Sequence, residues 1–478
     1  MRYVALGDSL TAGFQDLTLC GESQVKGFPQ LIADAADIDF ETPAVGNPGA
    51  PPCLFRGGRA TAWHALGQVC KVALGMALPG AFLAGGWVPP ESTLLPLNWL
   101  LGSRQASQRP ADNLGVPGFE LRHLETIANT NDLMAEMAGR ATFMGQMPII
   151  APVVKAVLQQ GGNCSQGKSA VTRAVEANPD LITLWAGSND ALEPALMGHV
   201  DDQTLTPLED KRWTYHAYNP LSGTRTPYET QQVMPGFRSS LDSLVTRLLK
   251  ETSAEILMMN LPDVTLIPYL REVGQPVGRL PFRVVTLGGK DITESLENWK
   301  IPDEVRSPQP GARDRFPAGT KVGLGFVLAK FSSKEQRFTE DEVLDPDELE
   351  TIRERTAEFN QLIEQAANSS ERIHLVDVAA LLQRSRNGVA LRGEGPEDTV
   401  INNFAGVRNA ANQDGYFSYD GIHPSDVGHA ILANEMLTVA RAKLSENPRF
   451  GQLTNASLID EKAIHADDPR TRPVLVLR

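Results

Sequence analysis

Residues 3–14 read Tyr3-Val-Ala-Leu-Gly-Asp-Ser-Leu-Thr-Ala-Gly-Phe14. The apolar run Tyr3 to Leu6 has the length and composition of a buried strand, and Gly7-Asp8 stops it. Ser9 follows at once, ahead of a Thr-Ala-Gly turn. A serine at the carboxyl end of a buried strand, among small residues, stands where open α/β sheets collect their ligands. Gly, Asp and Ser are also common turn residues, so the stretch by itself fits a plain strand-to-loop turn as well as a nucleophile.

Outward from this stretch, the chain alternates between strand-like and helix-like segments. Helical spacing is present in 27–36 and in Phe237 to Lys250, where Phe237, Leu241, Leu244, Val245 and Leu248 share a face. A helix is expected from Lys168 to Ala177. The longest runs over 346–369, opened by Asp345-Pro-Asp-Glu. Strands are expected at 38–45, 181–186, 254–260 and 373–378, each a short, mostly apolar run. Such alternation predicts an α/β fold with a parallel sheet covered on both faces. No 20–50-residue period recurs, which argues against a solenoid or propeller. Between these segments, compositions rich in Gly, Pro or Met mark expected insertions at about 51–110, 133–165, 193–235 and 271–345. The reading is a single domain over 1–447, followed by a C-terminal tail at 448–478.

The chain of 478 residues is 42% hydrophobic and 21% charged, enough for a globular core. A formal charge of −14 argues against nucleic acid as a partner and against adhesion to anionic lipid by charge. Cys20, Cys53, Cys70 and Cys164 show no CxxC spacing, so no zinc or dithiol redox site is expected. Two disulfides and four buried thiols both remain open. Met1 is followed almost directly by the first strand, with no secretory signal in between. That fits a cytoplasmic protein, or a secreted or periplasmic one whose leader has been removed. Residues 72–90 are uncharged, but their glycines and Pro79, Pro89 and Pro90 make a poor spanning helix, so no stable membrane span is expected.

Near the end stands Phe417-Ser-Tyr-Asp-Gly-Ile-His-Pro-Ser-Asp-Val-Gly-His429. Pro424 biases His423 away from helix, and Ser425 suits the N-cap of a helix over 426–444. A serine nucleophile needs a base to take its proton and a group to hold that base in the right tautomer. Asp420, three residues before His423 on one tight turn, can do the holding. Acyl transfer also needs donors for a developing oxyanion. Gly118, in Asn113-Leu-Gly-Val-Pro-Gly118, can offer an unobstructed backbone N–H, and Asn189, in Gly187-Ser-Asn-Asp190, a side-chain amide. Gly46-Asn-Pro-Gly49 is a competing glycine loop but lacks the Asn-x-Gly-x-x-Gly spacing. Each of these features alone fits an ordinary turn. Together they supply a nucleophile, two donors and an Asp/His pair.

Gly7-Asp-Ser-Leu10, Asn113-Leu-Gly-Val-Pro-Gly118, Gly187-Ser-Asn-Asp190 and Asp420-Gly-Ile-His423 resemble, in order, the four sequence blocks of the SGNH (GDSL) hydrolase superfamily. The resemblance covers roughly half the chain and leaves the insertions out. It implies a three-layer α/β/α, flavodoxin-like fold. It also implies Ser9 as nucleophile, His423 as base and Asp420 as its orienter, with the Ser9 N–H, Gly118 and Asn189 forming the oxyanion hole. Asp8 and Asp190 would tie loops together. The expected reaction is hydrolysis of a small-molecule carboxylic ester, with a lipid or medium-chain acyl ester among the candidates and no metal or cofactor required. Phe55, Trp63, Phe82, Trp87 and Trp99 in the first insertion could wall an acyl pocket or cover a sheet edge. The competing readings are a lysophospholipase or thioesterase, a carbohydrate O-acetyl esterase, and a non-catalytic binding protein on the same fold.

Overall fold

The structure is a computed structural model that describes residues 1–43, 45, 109–138, 150–159, 167–219, 224–286, 288–306, 313–331, 333–395, 399–401, 415–467 and 474–477. The central sheet has five strands: β1 (Tyr3–Gly7), β2 (Asn113–Gly115), β3 (Leu181–Trp185), β4 (Glu255–Met259) and β5 (Ile373–Val376). All pairings are parallel and the spatial order is β2-β1-β3-β4-β5. This is the flavodoxin-like order. In β1, Tyr3, Val4, Ala5 and Leu6 are all fully buried, as expected of a strand covered on both sides.

The helices explain the layering. The helical turn α1 (Ser9–Ala12) and α2 (Phe28–Ala35) follow β1, α3 (Ala170–Ala177) precedes β3, and α4 (Ser188–Met197) follows it. Then come α5 (Phe237–Glu251), α6 (Pro346–Asn368), α7 (Val378–Ser385) and α8 (Asp426–Leu444). Helices α3, α5 and α6 lie together on one face of the sheet, and α2 packs against α8 on the other. Parallel crossovers are right-handed, so a connection that runs the opposite way along the sheet must use the opposite face. The step from β1 to β2 runs opposite to the later steps. The crevice at that reversal, beyond the carboxyl ends of β1 and β3, is where this fold binds ligands. Ser9 and Asn189 are placed there.

Several expected boundaries move. The second strand is Asn113–Gly115, expected as a loop, whereas no strand forms over 38–43. That segment runs beside the start of β2 through the bonds of Asp112 and Asn113 N–H to Glu41 O, with no ladder beyond them. A three-residue strand carries too little apolar pattern to read. Gly115 has a packing reason: a Cβ there would meet Ala12 N at 2.4 Å. The described part of 133–165 is not peripheral, because Ile150, Val153, Val154, Val157 and Leu158 belong to the main core. The expected 193–235 insertion begins inside α4 and carries an antiparallel hairpin, Thr214–Asn219 with Thr224–Glu229.

Segment 271–345 builds a core of its own around Val277, Leu280, Phe282, Val322 and Phe338. It includes a three-stranded sheet of Leu270–Glu272, Lys321–Gly323 and Val343–Leu344. The expected tail also folds back. Phe450 and Leu453 join the main core, Glu461–Asp467 is a helix beside α8, and Val474–Leu477 pairs in parallel with Arg283–Thr286. The aromatic residues that could wall an acyl pocket or cover a sheet edge, the 72–90 segment, Gly46-Asn-Pro-Gly49 and Cys53, Cys70 and Cys164 lie outside the described residues. Cys20 is buried. No helix among the described residues is long and apolar enough to cross a membrane.

Candidate active site

Ser9 opens α1 directly after β1, and the side chain of Asp8 caps that turn by accepting the Leu10 N–H at 2.9 Å. The tight exit from the strand requires a glycine: a Cβ on Gly7 would stand 2.2 Å from both Thr11 Oγ1 and Trp185 O. Ser9 is thereby held at the sheet end with its side chain turned toward the Asp420–His423 loop, far away in sequence.

That loop is built by its own hydrogen bonds. Ser418 N–H donates to His423 O, and Gly421 N–H donates to Ser418 O. Asp420 Oδ1 accepts from the N–H groups of Ile422 and His423, each at 2.8 Å, and from Ser418 Oγ at 3.0 Å. Asp420 Oδ2 accepts from Leu17 N–H and from His423 Nδ1, the latter at 2.8 Å. Since a carboxylate only accepts, the proton sits on Nδ1, and Nε2 is left to accept from the Ser9 hydroxyl at 2.9 Å. Burial opposes ionisation of Asp420. The charge of His423 and the hydrogen bonds from His423 and Ile422 together outweigh it and hold its carboxyl down at about 2. The Phe14 ring, 4.8 Å from the imidazole, backs His423.

Asn189 lies in the first turn of α4, and its Nδ2 donates to Phe119 O at 2.9 Å and to Asp8 Oδ2 at 3.4 Å. It therefore joins the loop after β2 to the loop after β1. Gly118 sits in the turn Val116–Phe119, which is closed by Phe119 N–H to Val116 O, and its φ of 75° is the left-handed conformation that favours glycine. Asp190 Oδ2 accepts from Leu121 N–H at 2.8 Å, a second tie to the same loop. Burial raises the carboxyl of Asp190, with the charge of Glu120 adding to the effect. Asp8 is pushed up to about 7, mainly by burial, against the opposing Leu10 hydrogen bond and the His423 charge.

Two supports escaped sequence reasoning. Asp16 Oδ1 accepts the Tyr419 N–H at 2.8 Å, and Asp16 N–H donates to Ser418 Oγ, so the loop after α1 clamps the Asp420–His423 turn. Asp16 and Leu17 both adopt positive φ, 55° and 59°, a choice that nothing in their side chains announces. The second support is a buried ionic group behind the Gly118 loop. Arg122 donates to Glu120 Oε2 at 2.9 Å and to Glu136, and lies over the Trp213 ring. Glu120 and Arg122 are neighbours in sequence, but Glu136 and Trp213 come from other segments, so no local motif marks the group.

A narrow cleft of about 50 Å³ adjoins Ser9 and His423. Leu10, Trp185, Leu192, Val264, Leu382 and Phe417 are among the side chains that line it, and its surface is mainly apolar. A hydroxyl bonded to an imidazole, itself bonded to a buried carboxylate, is the arrangement from which acyl transfer proceeds.

The chain matches GDSL-like Lipase/Acylhydrolase over residues 3–436. It belongs to that family. Comparisons with curated proteins and with solved structures returned no match. Membership in the GDSL family makes the chain a hydrolase of the ester type, and the family's matched span includes Ser9, Gly118, Asn189, Asp420 and His423.

Proposed function

We propose that this GDSL-family chain hydrolyses carboxylic esters through an acyl-Ser9 intermediate, with an apolar acyl group seated in the cleft beside Ser9. The observation that carries this reading is the continuous chain of hydrogen bonds from Ser9 Oγ through His423 to Asp420. Ser9 Oγ attacks the ester carbonyl while its proton passes to His423 Nε2. The tetrahedral oxyanion is received by the N–H groups of Ser9 and Gly118 and the amide of Asn189. The C–O bond to the alcohol then breaks, and the alcohol leaves with the proton from His423. Water repeats the sequence on the acyl-enzyme and releases the acid.

Asn189→Ala removes one oxyanion donor and leaves Phe119 O and Asp8 Oδ2 without its hydrogen bonds. The expected result is a kcat lower by about 10²–10³-fold with a KM changed much less. Steady-state kinetics on a soluble ester check this, and an unchanged kcat would remove Asn189 from the oxyanion hole.

The lining of the cleft bears on the acyl group. Each buried methylene contributes about 0.8 kcal/mol in an apolar site, so kcat/KM is expected to rise from the acetate to the butyrate p-nitrophenyl ester. Acetate turned over far faster than butyrate would favour a carbohydrate O-acetyl esterase instead.

A further inference from the structure

Behind one wall of the serine cleft lies a second cavity, of about 250 Å³. The wall is the segment 261–267 after β4, helped by Leu382 of α7. Pro262, Val264 and Ile267 line the serine cleft, whereas Leu261, Asp263 and Leu266 line the cavity behind it, and Leu382 lines both. The two spaces are adjacent yet chemically unlike.

The rear cavity is edged by two guanidinium groups, Arg353 of α6 and Arg386 just past α7. Arg353 donates to Thr265 Oγ1 at 3.1 Å and to Glu350 Oε2 at 2.8 Å, and its Nε lies 3.8 Å from Asp263 Oδ2. Asp263 is the carboxylate of the lining, and its Oδ1 is occupied by the N–H and hydroxyl of Thr265. Lys321, in the strand Lys321–Gly323 of the 271–345 segment, donates to Thr265 O at 2.8 Å. Its ammonium is depressed first by burial and then by Arg353, with Arg386 adding to this and Asp263 and Glu272 opposing it. Arg353 and Arg386 thus line one cavity, and Lys321, bonded to Thr265 O, stands outside its lining. Arg353 and Lys321 have carboxylates near them, whereas Arg386 has no ion pair among the described residues. A cavity with an uncompensated guanidinium beside a second, fixed one suits an anion with several acceptor oxygens.

We propose that this cavity binds a phosphate group, free or as a phosphate monoester, clamped between Arg386 and Arg353. The site is separate from the serine cleft but shares its wall, so an occupant bears on Pro262, Val264 and Leu382 from behind.

Isothermal titration of the wild-type protein with inorganic phosphate at low ionic strength, against chloride at matched ionic strength, tests the proposal without relying on the hydrolytic reading. Saturable binding at one site is expected. It should weaken by about tenfold or more in Arg386→Glu, survive in Arg386→Lys, and be unaffected by Arg384→Gln on the same helix. Matching thermal melts show that the variants fold. No saturable heat in the wild type, or equal affinity in Arg386→Glu, overturns it. Titration with glycerol 3-phosphate distinguishes the sources. Tighter binding than inorganic phosphate identifies a carried phosphate group, and equal binding a free one.

Discussion

Replacing Ser9 by Ala is expected to lower the esterase kcat by about 10⁴-fold or more while the melting temperature stays close to that of the wild type. The large effect follows from the proposed role of the Ser9 hydroxyl, the atom that would form the acyl bond. The small effect on stability follows from the site itself, where the hydroxyl is held by one hydrogen bond to His423 and the cap on α1 comes from Asp8. Because the proposed reaction uses Ser9 and His423 as one unit, Ser9→Ala/His423→Ala should be hardly slower than either single variant. Purified proteins assayed side by side on p-nitrophenyl butyrate provide the measurement. Full activity in Ser9→Ala would remove Ser9 from the reaction, and additive losses would mean that His423 acts elsewhere.

Asp420→Asn is expected to cost about 10⁴-fold in kcat with the loop geometry nearly intact. An amide oriented to keep the bonds from the Ile422 and His423 N–H groups gives up the bond from Leu17 N–H and presents its NH₂ to His423 Nδ1. That nitrogen must then accept, the proton moves to Nε2, and the imidazole can no longer take the proton of Ser9. Asp420 also makes a pH prediction. Its carboxyl is held below the ordinary 3.8, at about 2, so the folded state favours the ionised form. The resulting stability is present above about pH 4 and lost as the pH falls through the folded value near 2. A shift of this size corresponds to about 2 kcal/mol. Urea unfolding at pH 6 and at pH 3 should show a smaller loss on acidification in Asp420→Asn than in the wild type. An equal loss in both proteins would locate the acid sensitivity elsewhere.

Much of the site was legible because its parts are local. Gly7-Asp-Ser9 and Asp420-Gly-Ile-His423 each combine a turn with a candidate side chain within a few residues, so spacing alone exposes them. The strands β1, β3 and β4 were legible for a similar reason, as short apolar runs closed by turn residues. Strand β2 was not, since three residues with Asn at one end and Gly at the other have no periodicity. The second core in 271–345 was hidden by scattered Gly, Pro and charge, because its apolar residues meet only after the three short strands align. Likewise, Phe450 and Leu453 give no sign within their own segment that they close the main core.

By itself the sequence determined the chemistry on offer: a serine at a strand end, an Asp/His pair on one turn, two donor loops and a parallel α/β sheet. These depend on composition and short-range order, which the chain carries before it folds. Only the tertiary structure decided which of these groups meet. The step from β1 to β2 runs opposite along the sheet to the later steps and opens the crevice, the parallel registers bring the ends of β1, β2 and β3 to one edge, and α8 returns a loop more than 400 residues away to within 2.9 Å of Ser9. Long-range contacts of this kind are chosen by packing of the whole core, which no local pattern encodes.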